Sequence, residues 1–336
     1  MSLRIRLLMA TAAVSLVGLA ACTDLTVEPK SSVTEANVFN DLSSYRAFIA
    51  KVYTGLAVSG QQGAAGKPDI QGIDEGFSQY LRLLWEAQEL PTDEAVIGWG
   101  DVGLPEMNTQ TWAVDNSFVV SMYYRIFFQV GMANEFLRQT SDEKLAARGH
   151  NTGAIASEIA TYRAEARFLR ALSYWHGIDL FGNIPLLTEA DELGSTPPQQ
   201  ATRAQIFDFV VSELTEIQSQ LPAATAANYG RATGAAASML LAKLYHNAAV
   251  YTGTANYAGV LSALQPVLAG SFSLDASYSH LFQADNNTSP EIIFFGPAGR
   301  PQDPDLGRHD LLVHVLRRRH ERLELRHHGC WWGSVR

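Results

Sequence analysis

From Asp41 to Leu268 this chain repeatedly spaces its apolar residues three and four positions apart. That period puts them on one face of a helix, so the chain must fold by packing amphipathic helices against one another. The segment 41–57 carries Leu42, Tyr45, Ile49, Val52 and Leu56, with Asp41 placed as an N-cap and Gly55 and Gly60 as stops. Residues 77–90 offer Tyr80, Leu81, Leu84, Trp85 and Ala87, and 117–138 offer Phe118, Met122, Ile126, Val130, Ala133 and Leu137. The longest run, 158–181, lines up Ile159, Tyr162, Ala166, Leu169, Leu172 and Trp175 before Gly182 and Pro185 end it. Thr202 and Gln205 form a capping box for 202–221, whose stripe is Ile206, Val210, Leu214, Ile217 and Leu221. Two further helices follow, an Ala-rich one over 233–250 with Met239, Leu240 and Leu244, and one over 257–268 with Val260, Leu261, Leu264 and Leu268. The short apolar run Glu291 to Phe295 reads as a strand. Gly-rich stretches over 60–76 and 91–111 read as loops. The expected fold is mainly α, a helical scaffold with tetratricopeptide-like helix pairs and long loops. The pair 202–221 with 233–250 has the size of one such unit, roughly 34 residues, although no strict consensus repeats.

The ends of the chain read differently. Arg4 and Arg6 precede an apolar run from Leu7 to Leu19, and Leu19-Ala20-Ala21-Cys22 follows. This is the layout of a secretory signal, too short at about 13 apolar residues for the roughly 20 that span a bilayer. It also has the form of a bacterial lipobox, in which Cys22 becomes the acylated N-terminus; several acyl chains such as palmitate together hold a protein on a membrane where one does not. The alternative is an ordinary signal peptide with an incidental cysteine. The expected organisation is a signal peptide over 1–21, a lipidated Cys22 with a tether to residue 30, a helical domain over 31–300 and an aberrant, disordered tail over 301–336. In that tail Arg317, Arg318, Arg319, Arg322 and Arg326 crowd together with His309, His314, His320, His327 and His328. The abrupt change fits a shifted reading frame before Gly329-Cys-Trp-Trp-Gly333. Cys22 and Cys330 are the two cysteines, so a lipidated Cys22 leaves no internal disulfide. The formal charge of −9 excludes nucleic acid or an anionic membrane surface as the main partner.

Several segments together resemble the SusD/RagB family of outer-membrane lipoproteins. The main stretch is Ala164-Glu-Ala-Arg-Phe-Leu-Arg-Ala-Leu-Ser-Tyr-Trp175 running on through Leu180 to Leu187, and a second is Gly230 to Ala237 with Leu241-Ala-Lys-Leu-Tyr245. Pro91-Thr-Asp-Glu94, Tyr124-Arg-Ile126, Ala133-Asn-Glu-Phe-Leu137 and Ser289-Pro-Glu-Ile-Ile293 follow the same pattern in the same order. The resemblance covers about 23 to 300 and the tail departs from it. It implies a cell-surface protein, lipid-anchored in the outer membrane and facing the exterior, that binds an oligosaccharide or another nutrient and hands it to a TonB-dependent, SusC-like transporter. The motif residues also have a structural reading, with Phe168, Leu169 and Leu172 in the core and Glu165, Arg167 and Arg170 in ion pairs that brace helices. A helical-repeat lipoprotein acting as a protein–protein scaffold is the alternative function.

For chemistry, the chain holds no phosphate-binding Gly loop, no nucleophile elbow and no His-Glu-x-x-His, so no catalytic residue and no cofactor is assigned. Asp93 with Glu94, and Asp101 with Glu106, are the acids that a glycosidase reading would use; a solvated acidic loop is the simpler account. His320, His327, His328 and Cys330 lack clean ligand spacing, and no metal is assigned. The same loop suits sugar, whose C–H faces stack on flat rings while short polar side chains hold the hydroxyls. The expected ligand contacts are therefore Trp99, Asp101, Asn108 and Trp112, with Trp85 and Trp175 in the core. The anchor reading makes one direct demand. In the native host, Cys22→Ala should leave the membrane pellet for the soluble fraction; retention as firm as that of the wild type excludes a lipid anchor at this residue.

Overall fold

A computed structural model describes residues 38–60, 68–74, 76–98, 100–191, 194, 198–283 and 285–295. The expected signal, Cys22 with its tether, the tail with Cys330, and Trp99 lie outside the described residues. From Asp41 onward the helices are α1 (Leu42–Thr54), α2 (Tyr80–Glu89), α3 (Pro105–Thr109), α4 (Ser117–Gln139), α5 (Asp142–Ala147), α6 (Gly153–Leu180), α7 (Arg203–Ile217), α8 (Gly234–His246), α9 (Ala248–Thr252) and α10 (Tyr257–Leu268). Two two-residue strands, β1 (Ile184–Pro185) and β2 (Gln200–Ala201), pair antiparallel between α6 and α7. The mainly α architecture is the one the periodicity demands.

Helix α6 is the axis of the fold. Every residue from Phe168 to Ile178 is buried, because α1, α4 and α7 all pack along it. Helix α2 packs on α4, and α8 packs on both α7 and α10. The cap residues behave as their chemistry requires. Asp41 Oδ1 accepts from the backbone amides of Ser43 and Ser44, and Thr202 and Gln205 close a reciprocal capping box at α7. Gly182, at φ +75°, turns the chain out of α6 where a side chain would press on the Arg203 guanidinium.

The braces expected on the α6 motif are present. Arg167 forms a bidentate pair with Glu213 (Nη2–Oε1 2.7 Å, Nε–Oε2 3.1 Å) and reaches Glu216. Glu165 takes Arg231 Nε at 2.6 Å and the Tyr53 hydroxyl at 2.9 Å.

Several local expectations need correction. The 291–295 run makes no strand among the described residues; it is a turn and an extended segment whose Phe294 is buried against Phe168 at 5.2 Å, so packing rather than pairing explains its apolarity. Helix α2 starts only at Tyr80 and buries Leu83 and Glu86 rather than Leu84 and Ala87, while Trp85 is half-buried. The 233–250 segment breaks at Asn247 into α8 and α9. Helix α10 buries Ala263 and Val267 and leaves Leu261 and Leu268 exposed. Helices α3 and α5 are too short to show a period, and α6 begins five residues before its expected start.

One buried group sets a pH dependence. His176 is 4% exposed, with its Nδ1 2.9 Å from the Tyr80 hydroxyl. Burial pushes its pKa from 6.5 down to about 3, and the nearby Asp179 carboxylate only partly offsets this. Between those values the unfolded chain holds a proton that the folded one does not. Its contribution to stability is therefore complete above about pH 6.5 and declines as pH falls toward 3, by up to about 1.4 kcal/mol per pH unit. Denaturant titrations of wild type and His176→Gln between pH 4 and 6 should give a shallower slope for the variant. Equal slopes would mean that His176 is not held neutral.

Candidate functional site

Three elements meet around a surface recess of about 380 Å³. One wall is the turn before α2, with Asp74, Gly76 and Phe77; the second is Arg82 on α2 itself; the third is the loop ahead of α4, with Asp101 and Val102, and the first residues of α4. Phe77, half-buried, packs on the buried Phe118, 3% exposed, their rings 4.6 Å apart and tilted by 35°. Asp74, Asp101 and Arg82 line the same recess. Asp74 Oδ1 accepts from the Gly76 amide at 2.6 Å, closing a turn. Arg82 donates Nε to Glu86 Oε1 at 2.8 Å and Nη1 to the Gly76 carbonyl at 3.1 Å. Glu86 is 1% exposed, and burial raises its carboxyl pKa against the opposing pull of Arg82, with the Asp101 charge adding to the rise.

The loop is built to hold its shape. Asn116 caps α4 by accepting from the Phe118 and Val119 amides at 3.0 and 3.3 Å. Its Nδ2 donates to the Gly103 carbonyl at 2.7 Å and to Glu106 at 3.1 Å, so one buried side chain ties the loop to the helix start. Gly103 sits at φ +93°, and a Cβ there would come within 2.9 Å of Asn116 Nδ2. Farther back, Asn108 Nδ2 donates to the Leu90 and Ala95 carbonyls at 2.8 and 3.0 Å, and Gln110 Nε2 donates to the Pro91 carbonyl at 2.6 Å.

Of the expected ligand contacts, Asp101 lines the recess. Asn108 faces its own loop's backbone, and Trp112, 41% exposed, follows α3 away from the lining. Asp74, Phe77, Arg82 and Phe118 were not singled out by sequence. The signals were faint: Asp74 between Gly72 and Gly76, and an Arg82/Glu86 pair at i,i+4 on the helix. Among the described residues no group of His, Cys, Asp and Glu is arranged to hold a metal ion. A second recess of about 220 Å³ lies beside Arg163 and Arg167, but Arg163 donates to the Leu137 and Thr140 carbonyls and Arg167 to Glu213 and Glu216, so both serve the scaffold.

The family model described as "Starch-binding associating with outer membrane", of the SusD-like type, matches residues 87–246. The starch-binding protein SusD of Bacteroides thetaiotaomicron is 35% identical over 248 residues, which are 72% of this chain and 42% of that protein. The chain belongs to the SusD family. A second member, SusD-like protein P25 of Formosa agariphila, is 30% identical over 133 residues, 39% of this chain and 24% of its own length. Solved structures carry the same fold. A SusD-like carbohydrate-binding protein from Bacteroides fragilis superposes with a TM-score of 0.58 at 21% identity, covering 76% of this chain and 46% of that one. A laminarin-binding SusD-like protein gives 0.56 at 20%, covering 76% and 50%. This SusD-family chain thus spans about half the length of the relatives it matches.

The double duty of Asn116 can be separated. Asn116→Asp keeps the cap acceptor but loses the donor to Gly103, so the helix should hold while proteases cut within 91–116 faster. Asn116→Ala loses both and should also cost about 1–2 kcal/mol in denaturant unfolding. An Asp variant cut no faster than wild type would remove the loop tie.

Proposed function

We propose that this protein binds a glycan in the recess between α2, the 91–116 loop and α4, without turning it over. The observation that carries the reading is the meeting of a half-buried ring, Phe77 backed by Phe118, with Asp74, Arg82 and Asp101 in one recess of a SusD-family chain. A sugar ring offers apolar C–H faces to Phe77 and hydroxyls to the charged groups. Trp99, two residues before Asp101 in sequence, is the further ring we assign to stacking. Asn108 then acts by fixing the loop, and Trp112 as a contact for a longer oligosaccharide. The relatives' names describe binding of starch, carbohydrate and laminarin rather than a reaction. The family description supports association with the outer membrane. The finer reading adds a signal over 1–21, an acyl anchor on Cys22, exposure to the exterior and delivery of the glycan to a SusC-like, TonB-dependent transporter.

The scaffold reading keeps one observation in its favour. Helix α10 carries no charged residue, and Tyr257, Leu261 and Leu268 on it are 63–72% exposed. Contiguous exposed apolar surface of this kind marks contact sites.

Native electrophoresis in gels containing soluble starch, laminarin or other polysaccharides tests the glycan reading. At least one glycan should retard the wild type. Trp99→Ala and Asp101→Ala should each weaken retention by several-fold to about tenfold, the scale of one stacking or polar contact, with melting unchanged. Migration unaffected by a broad panel overturns glycan binding, and a large fall in melting for Trp99→Ala would place that ring in the core instead.

A further inference from the structure

Behind the recess lies a buried charge. Glu86 lies one turn after Arg82 on α2, with its side chain 1% exposed. Its Oε1 accepts from Arg82 Nε at 2.8 Å, while its buried Oε2 has no hydrogen-bond partner. A buried carboxylate with one oxygen unsatisfied is costly. Replacing a buried ion pair as a whole by well-packed neutral residues is often neutral or stabilising, whereas removing one partner is destabilising where it strands a buried charge. Arg82 is 30% exposed, so a neutral residue at 86 strands none, and stability alone gives this position little reason to be acidic. What the carboxylate does is hold Arg82. The guanidinium is clamped from two sides, by Glu86 at Nε and by the Gly76 carbonyl at Nη1. Clamped in this way it forms part of the recess lining beside Asp74 and Asp101. An arginine side chain has large rotamer freedom, and a ligand that must order it loses affinity.

We propose that Glu86 is a positioning residue for ligand binding: it pre-orders the Arg82 guanidinium at the recess, at the expense of leaving one of its own oxygens unpaired. This rests on the glycan reading above for its consequence, but not for its geometry. Arg82 is the group that meets the ligand, and Glu86 acts only through it. The two faces of the claim pull stability and binding apart. A purely structural Glu86 would lose both on substitution; a positioning Glu86 loses binding and keeps or gains stability.

The full chain serves for the test, as wild type, Glu86→Gln, Arg82→Gln and the double variant. Three quantities are measured: melting temperature, the Arg82 Nε–H resonance in ¹H–¹⁵N spectra near neutral pH, and retardation in gels of soluble starch and of laminarin. Glu86→Gln should melt no lower than wild type, lose or broaden the Nε–H signal through faster exchange with water, and bind about three- to tenfold more weakly. In the Arg82→Gln background the further change at Glu86 should have no added effect on binding. A sharp, unshifted Nε–H signal in Glu86→Gln overturns the positioning role whatever the gels show. Lowered melting, or a binding loss that persists in full without Arg82, overturns it in favour of a structural role. If the Nε–H signal behaves as expected but neither gel nor a wider glycan panel retards the wild type, the glycan reading fails and takes the binding role of Glu86 with it, leaving only its hold on Arg82.

Discussion

A guanidinium that water barely reaches organises this fold. Arg170, 1% exposed at the centre of α6, cannot be buried unless anions and acceptors come to it. They come from three places: Glu213 on α7 at 2.7 Å, the Asn134 amide oxygen on α4 at 2.6 Å, and Glu189 in the segment after β1. Satisfying one cation therefore fixes two helices and a loop against α6. Tyr174, one turn further along, repeats the device by donating to and accepting from the backbone of Leu187, each at 2.7 Å. Apolar burial supplies most of the driving force along α6, but it is not directional. These charge-assisted bonds determine which way the neighbouring helices face.

The recess inherits its position from a second buried arginine. Arg125 on α4, also 1% exposed, donates Nε to the Ser78 carbonyl at 2.5 Å and Nη2 to the Ser59 carbonyl at 2.8 Å, with Asp69 3.6 Å from Nη1. Lys51 on α1 holds the same Asp69 at 2.7 Å. The turn that carries Asp74, Gly76 and Phe77 is thus pinned at Asp69 and Ser78 to two helices. Asn116 pins the facing loop to the start of α4. The two loop walls of the recess thus have rigid roots, the arrangement that lets a loop present side chains without losing its shape.

This division explains what could be read beforehand. Long helices such as α4 and α7 announce themselves, because a face must repeat over several turns to be buried, and Ile206, Val210, Leu214, Ile217 and Leu221 are all in the core as their spacing requires. The bracing roles of Glu165, Arg167 and Arg170 were legible because charged residues inside an apolar helix must find partners. The recess was half legible. Asp101 stood out as a polar group in a Gly-rich loop, whereas Phe77 and Phe118 looked like ordinary core residues until folding set their rings together. Arg82 and Glu86 carried no mark of function, since an i,i+4 pair on a helix is usually a solvated face. Asn108 misled for the opposite reason. A short polar side chain in a loop looks available to a ligand, yet its amide is already used by the Leu90, Ala95 and Ile97 backbone.

The charge around the recess limits the kind of binding energy it can supply. From Pro91 to Ser117 the sequence has Asp93, Glu94, Asp101, Glu106 and Asp115 and no lysine or arginine. Among the described residues Arg82 is the one cation lining the recess, and Glu86 largely compensates it. A polyanion would meet like charge on approach and find no uncompensated cation at the lining, so long-range attraction cannot draw such a ligand in. What remains for the proposed ligand is short-range: the apolar side of Phe77, backed by Phe118, and hydrogen bonds to Asp74, Asp101 and Arg82. Interactions of that range are little screened by salt. Such interactions suit the neutral, hydroxyl-rich ligand of the glycan proposal. The acidity of the loop, which by itself marks no site, in this way narrows the ligand of the recess beside it.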